Sequence, residues 1–327
     1  MNPCGLRRRN LLLATSAGLT GLSGLARAQG PTPRWPAKPV TIVVPYSPGG
    51  GTDIVARTVA QRLSELWGVS VVVDNRSGAN GVIGSQHVAK QPPDGLTLLM
   101  VVGSHAINPV LMKALPYDTP RAFTPITRLA DSPMVLVVSA KAPYKDLREL
   151  IEAARKEPMA VGYSEGQTRL TGELMRQAAQ LKTEGVPYKG GAPIMVDIIG
   201  GHLPMGVTSV LTALPHVQSG SLRVIGVAAA ERMALFPDAM TFRELGYAQV
   251  ESLSWYGLFG PAGLPAALVA QINADLRRIT ADPALQKQLT GQGAQVVLTP
   301  PEEFARFLQA ETSKWALVAQ RGAIQPE

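Results

Sequence analysis

Five short stretches carry the residues that could hold or transform an anion. In "PYSPGGGTD" (45–53) a β-branched run ends in a proline turn, three glycines follow, and a helix begins near Thr52. Glycines let the backbone turn sharply and approach a ligand, and a helix start offers free amides and a positive dipole end. Tyr46, Ser47, Pro48, Gly49 and Gly50 are therefore candidate anion contacts. No lysine follows the glycines and no G-x-G-x-x-G is present, so nucleotide phosphate is disfavoured. Asp53 argues the same way, because a carboxylate facing a phosphate repels it; it reads either as a helix-end cap or as a ligand contact.

"VVGSHAINP" (101–109) ends a strand and delivers Ser104 and His105, the histidine a general base or a plain polar contact. "GYSEGQTRLTGEL" (162–174) ends another strand in a small-residue turn, presenting Ser164, Gln167 and Thr168. Arg169 there could grip a carboxylate bidentately or be a solvated first-turn arginine. "VPYKGGAP" (186–193) offers Lys189 and Gly190, and "VTSVLTALPH" (207–216) offers Thr208 and Ser209. A Schiff-base role for Lys189 rests only on one lysine in a glycine turn. The sequence shows no serine–histidine–acid arrangement, no paired carboxylates on one element, and no metal-ligand spacing among His87, His105, His202 and His216. Abundant backbone amides and hydroxyls with few catalytic groups indicate binding, with no enzyme activity, cofactor or metal expected.

The elements that must position these stretches alternate. Strands at 40–46, 69–75 and 96–103 enclose helices over about 52–67 and 85–90. A second series has strands at 134–140, 159–164, 184–190, 203–210 and 222–229, with helices near 147–156, 170–181, 193–199 and 214–218. Continuous apolar strands joined through helices predict parallel sheets covered on both faces. From about Leu264 the chain reads as amphipathic helix. The prediction is α/β with two lobes, each a mostly parallel sheet flanked by helices: residues 29–131 plus 250–327, and 132–249. Ligands of such sheets sit beyond the strand carboxyl ends, here in the cleft between lobes.

The chain has 327 residues, 46% hydrophobic and 17% charged, with a net charge of +7. Residues 1–28 hold Arg7, Arg8, Arg9, Arg27 and no acid, followed by an apolar stretch and a small-residue "ARA". That is a secretory signal cleaved near Ala28/Gln29, and "RRRNLL" suggests the twin-arginine route. Without it 27 basic residues face 24 acidic ones, too mild a balance for nucleic acid. The only cysteine, Cys4, lies in the leader, which excludes disulfides and thiol chemistry from the mature chain.

Together, "VVPYSPGGGTDIVAR", "VVVDNRSGANGVIG", "PPDGLTLLM", "AINPVLMKALPYD", "VPYKGGAP", "LPHVQSGSLR" and "WYGLFGPAG" resemble, in order and spacing, the Bug receptors, extracytoplasmic solute-binding proteins of tripartite tricarboxylate transporters. The resemblance implies a monomeric Venus flytrap in the periplasm. It would capture a di- or tricarboxylic acid or acidic amino acid for a two-subunit membrane permease, or signal to a sensor kinase instead. It assigns Tyr46–Asp53 to one ligand carboxylate, Gly81 and Ser104 to the first lobe's cleft wall, and Ser164–Arg169, Lys189, Gly190, Thr208 and Ser209 to the second. Two departures stand out. The family's second-lobe loop reads like "SxGxGSxxHLAGE", whereas "SEGQTRLTGE" is about three residues shorter with Arg169 at the histidine position. Thr208–Ser209 replaces a frequent "DN" pair. Arg169 favours a second ligand carboxylate, the missing acid at 208 disfavours an amino group and Glu165 favours one; the balance leans to a dicarboxylate.

Overall fold

The structure, a computed structural model, describes residues 35–326. The leader expected over 1–28, its cleavage point and Cys4 lie outside the described residues.

The first series begins with β1 (Val40–Val44), apolar and buried apart from Thr41. The glycine turn leads into α1 (Gly51–Trp67), which ends on Gly68 at φ 71°, its N–H donating to the Ser64 carbonyl. Gly68 takes the left-handed conformation that L side chains resist, so the helix stops where the sequence said it would. β2 (Val71–Asn75), a tight turn at Ala79–Gly81, α2 (Val82–Ala89), β3 (Thr97–Val101), α3 (Ser104–Leu111) and α4 (Thr119–Ala122) complete it. β4 (Phe123–Ser139) then leads to α5 (Leu147–Lys156), β5 (Met159–Tyr163), α6 (Gly166–Ala179), β6 (Thr183–Pro187), α7 (Gly191–Ile199), β7 (Met205–Ser209), α8 (Val210–Gln218), β8 (Leu222–Val227) and β9 (Met240–Thr241). The last part holds β10 (Leu253–Pro261), α9 (Ala266–Thr280), α10 (Pro283–Gly291), β11 (Gln295–Val296) and α11 (Pro301–Arg321).

The main strand order is β2-β1-β3-β10-β4-β7-β5-β6. β1 pairs in parallel with β2 and β3, and β5 with β6 and β7, as the two predicted series require. Between them run two antiparallel strands that join the series. β10 pairs with β3 and with the first part of β4, and the last part of β4, from Met134, pairs with β7 and β8. The sequence shows only that last part of β4 as strand. Pro125 and Pro133 lack ladder donors, and Arg128 and Asp131 interrupt the apolar run. The chain accommodates them with register shifts against β10 at Tyr256/Gly257 and Leu258/Phe259, and by pairing Arg128 with Asp131 at 3.4 Å. Such irregularities bend a strand, as a crossing between two sheets needs.

α11 reaches beyond the first series. Trp315, Val318 and Ala319 share one core cluster with Ile107 and Leu111 of α3 and with Leu170 and Leu174 of α6, so the last helix packs on both series and not on the first alone.

Candidate functional site

Asp53 organises the glycine turn. It is buried, and its Oδ2 accepts from the Gly49 amide at 3.0 Å and from Arg57 Nε at 2.9 Å. Asn75 Nδ2 donates to Asp53 Oδ1 at 3.0 Å and to the Tyr46 carbonyl at 3.2 Å. Burial alone would raise the acid's pKa, but the bonds from Arg57, Gly49 and Asn75 outweigh it and hold the group below the ordinary carboxylate value. Asp53 is thus not the N-cap, which is Gly50: it ties the turn to its own helix. No side chain caps Gly50, so the first helical amides, from Gly51, keep no intrahelical partner.

The groups that crowd Gly51 come from the rest of the fold. A Cβ on Gly51 would lie 2.5 Å from Tyr256 Oη and 3.2 Å from Ser209 Oγ, so only glycine lets the helix end approach β10 and the end of β7 this closely. Burial pushes the Tyr256 hydroxyl up to about 12. Tyr46 Oη and Ser104 Oγ lie 2.6 Å apart; the Tyr46 pKa is raised chiefly by burial, and Gly81 packs on its ring. Gly190 approaches Ser47 across the gap, its would-be Cβ 3.9 Å from Ser47 Oγ. Ser47, Pro48, Gly49 and Lys189 are exposed. Thr208 is buried beside Ser209.

The second series contributes the start of α6. Glu165 is its N-cap: one carboxylate oxygen accepts from the Gln167 amide at 2.8 Å, the other from Thr168 at 3.0 Å. Thr168 Oγ1 accepts in return from the amides of Ser164 and Glu165, completing a capping box. Gln167 is fully buried; its amide nitrogen donates to the Leu253 carbonyl and its oxygen, pressed against Gly103, has no partner. Burial raises the Glu165 pKa above its usual range, and its charge adds to the rise at both Tyr46 and Tyr256.

Two expected site residues are placed elsewhere. His105 is buried behind the cleft wall between Phe123, at 4.9 Å between ring centroids, and Phe259, at 5.0 Å. Neither ring nitrogen has a hydrogen-bond partner, and burial lowers its pKa to about 4. Because β3 ends at Val101 and a helical turn begins at Gly103, Ser104 and His105 diverge by about 100° instead of sharing the cleft. Arg169 has its guanidinium 5.8 Å from the centre of the Tyr163 ring, in a surface hollow with Glu173 and Arg176. Positions 165, 169, 173 and 176 follow one helical stripe, so Arg169 lies one turn below the cap at 165, its backbone N–H donating to the Glu165 carbonyl. The sequence reading covered Gly51 only within the turn as a whole and omitted Tyr256. A lone phenol within the apolar "SWYGLFGP" was the available signal for the latter.

Two α/β series joined by crossing strands, with small-residue turns meeting at the strand carboxyl ends, define a periplasmic binding protein of the two-lobed type. The tripartite tricarboxylate transporter family receptor (TctC) matches residues 55–323, and the chain belongs to that family. It is similar to BugT of Bordetella pertussis, 32% identical over 296 residues, covering 88% of this chain and 91% of BugT. It also superposes on R. palustris Rpa4515 with adipate (TM-score 0.86, 32% identity, 90% of this chain and 100% of that one). The periplasmic binding protein BugD is similar as well (TM-score 0.84, 29% identity, 90% of this chain and all of the other). No helix among the described residues is long and apolar enough to cross a membrane.

Proposed function

We propose that this chain is a periplasmic receptor that captures a small organic carboxylate in the cleft and delivers it to a tripartite tricarboxylate-type permease, without turnover. The carrying observation is the start of α1, which no side chain caps and beside which the hydroxyls of Ser209 and Tyr256 lie against Gly51. The binding of adipate by Rpa4515 supports a carboxylate as the ligand class. The export signal supports the compartment. Residues 29–131 with 250–327 form one lobe and 132–249 the other, a division supported by the change of β4 partners at Met134. Each lobe supplies part of the contacts, so ligand stabilises the closed arrangement over the open one.

A thermal-shift screen of C3–C8 monocarboxylates, dicarboxylates and acidic amino acids tests this. A true ligand at 100 times its Kd adds about 2.7 kcal/mol to stability and lowers the radius of gyration in small-angle scattering. A flat response across the whole panel overturns it.

A further inference from the structure

α6 is fastened to the point where the chain turns between the two series. β4 changes partners at Met134, and the Met134 N–H donates to the Ser252 carbonyl at 2.9 Å, just before β10 begins. Two side chains of α6 reach that point. The Thr171 and Ser252 hydroxyls, both buried, lie 2.6 Å apart, and Gln167 donates from its side-chain amide to the Leu253 carbonyl. Leu253 stands opposite Pro133, which has no N–H, and the pairing of β3 with β10 reaches no further than Val101 and Gly257. Gln167 therefore supplies the donor that a neighbouring strand would give.

Farther along α6 the contacts become apolar. Leu170 and Leu174 share a core cluster with Ile107 and Leu111 of α3 and with Trp315 and Val318 of α11. Gly166 permits this approach, since a Cβ there would lie 3.0 Å from Ile107 Cγ2. Gln177 Nε2 donates to the Val318 carbonyl at 3.1 Å, and Thr312 Oγ1 to the Ala106 carbonyl at 3.1 Å, which ties α6 to α11 and α11 to α3. The two series meet again on the α1 side, but there at small groups: Gly51 against Ser209 and the Leu211 Cβ, and Gly190 near Ser47. Separating the leucine contacts of α6 exposes a core to water, whereas separating glycine from serine exposes little apolar surface.

We propose that α6 is the fulcrum of the closing movement: it stays docked on the start of β10, on α3 and on α11 in both arrangements, and the cleft opens on the α1 side, where Gly51 leaves Ser209. The proposal rests on the capture reading above and adds to it which contacts survive opening. The helix is thus an axle shared by the two lobes, and lobe 2 rolls on it.

A cross-link tests it. The sequence has no cysteine beyond Cys4, and Thr171→Cys with Ser252→Cys replaces two oxygens 2.6 Å apart by sulfurs placed to bond on oxidation. The full mature chain, oxidised and reduced, is titrated by calorimetry and measured by small-angle scattering with adipate, succinate, glutamate and any other acid the screen returns. The oxidised form should bind within about twofold of the reduced form and show the same fall in radius of gyration. An oxidised chain that is compact without a probe, or that no longer binds or contracts, overturns the proposal, because the bond would then span a contact that must part. Hydrogen exchange on the native chain gives a second measurement should the variant fold poorly. A bound probe should slow amides at 47–54 and 207–213 and leave those at 170–179 of α6 and 105–111 of α3 unchanged; equal slowing at α6 overturns the proposal. If the native chain binds a probe without contracting, this inference falls and carboxylate capture stands. If none of the acids binds, the capture reading falls and this inference with it.

Discussion

α1 and α6 enter the cleft region as the same kind of element, a helix start after a strand, and they differ in what occupies the first turn. Each has an acid there. Asp53 sits three residues inside α1 and is turned back to Gly49, Arg57 and Asn75, with its pKa held low. Glu165 sits at the cap of α6 and takes the helix amides itself, with its pKa raised by burial. One acid leaves the start of its helix uncapped; the other caps its own. A helix start is an anion site only while no side chain of its own has filled it.

The largest effect should come from blocking the open end. Gly51→Val puts a β-branched side chain where even a Cβ lies 2.5 Å from Tyr256 Oη, and carboxylate affinity measured by calorimetry should fall about 100-fold, about 2.7 kcal/mol. Retained affinity would mean that the α1 end is not where the anion binds.

Next, Asp53→Ala removes the acceptor for Gly49, Arg57 and Asn75 and should cost about 1–2 kcal/mol in urea unfolding. Because the folded pKa is depressed, this contribution is complete above the unfolded value near 3.8 and disappears as pH falls through the lower folded value. The native and variant melting curves should therefore converge only at strongly acid pH.

Glu165→Gln should show the opposite sign. A raised folded pKa means that the folded chain binds its proton more readily, so ionisation of Glu165 subtracts stability as pH rises above 4.5. The variant's melting temperature, relative to native, should improve from pH 4 to pH 8, against a partial loss of the cap of about 0.5–1 kcal/mol. If both acids showed the same pH sign, the contrast between the two helix starts would fail.

The smallest effect is expected from Arg169→Ala, which should change carboxylate affinity less than about twofold, about 0.4 kcal/mol, since the guanidinium lies over the Tyr163 ring in a surface hollow.

The sequence by itself determined the alternation of strand and helix, the glycine turn with its helix behind it, and the family. These are local: β-branched runs, 3.6-residue spacing and glycines at turns act on neighbours along the chain. The helix Leu147–Lys156 and the closure of α1 at Gly68 were legible for that reason. Tertiary structure alone decided the rest. β4 became one strand of 17 residues because β10, β7 and β8 supply partners that its prolines and charges could not announce. His105 was packed between Phe123 and Phe259 by the start of α3, the guanidinium of Arg169 came to lie over Tyr163, and Tyr256 reached Gly51 from some 200 residues away. Residue type and spacing say which groups a turn can offer; which way each one points depends on packing against elements distant in the sequence, and the Cβ direction follows that packing.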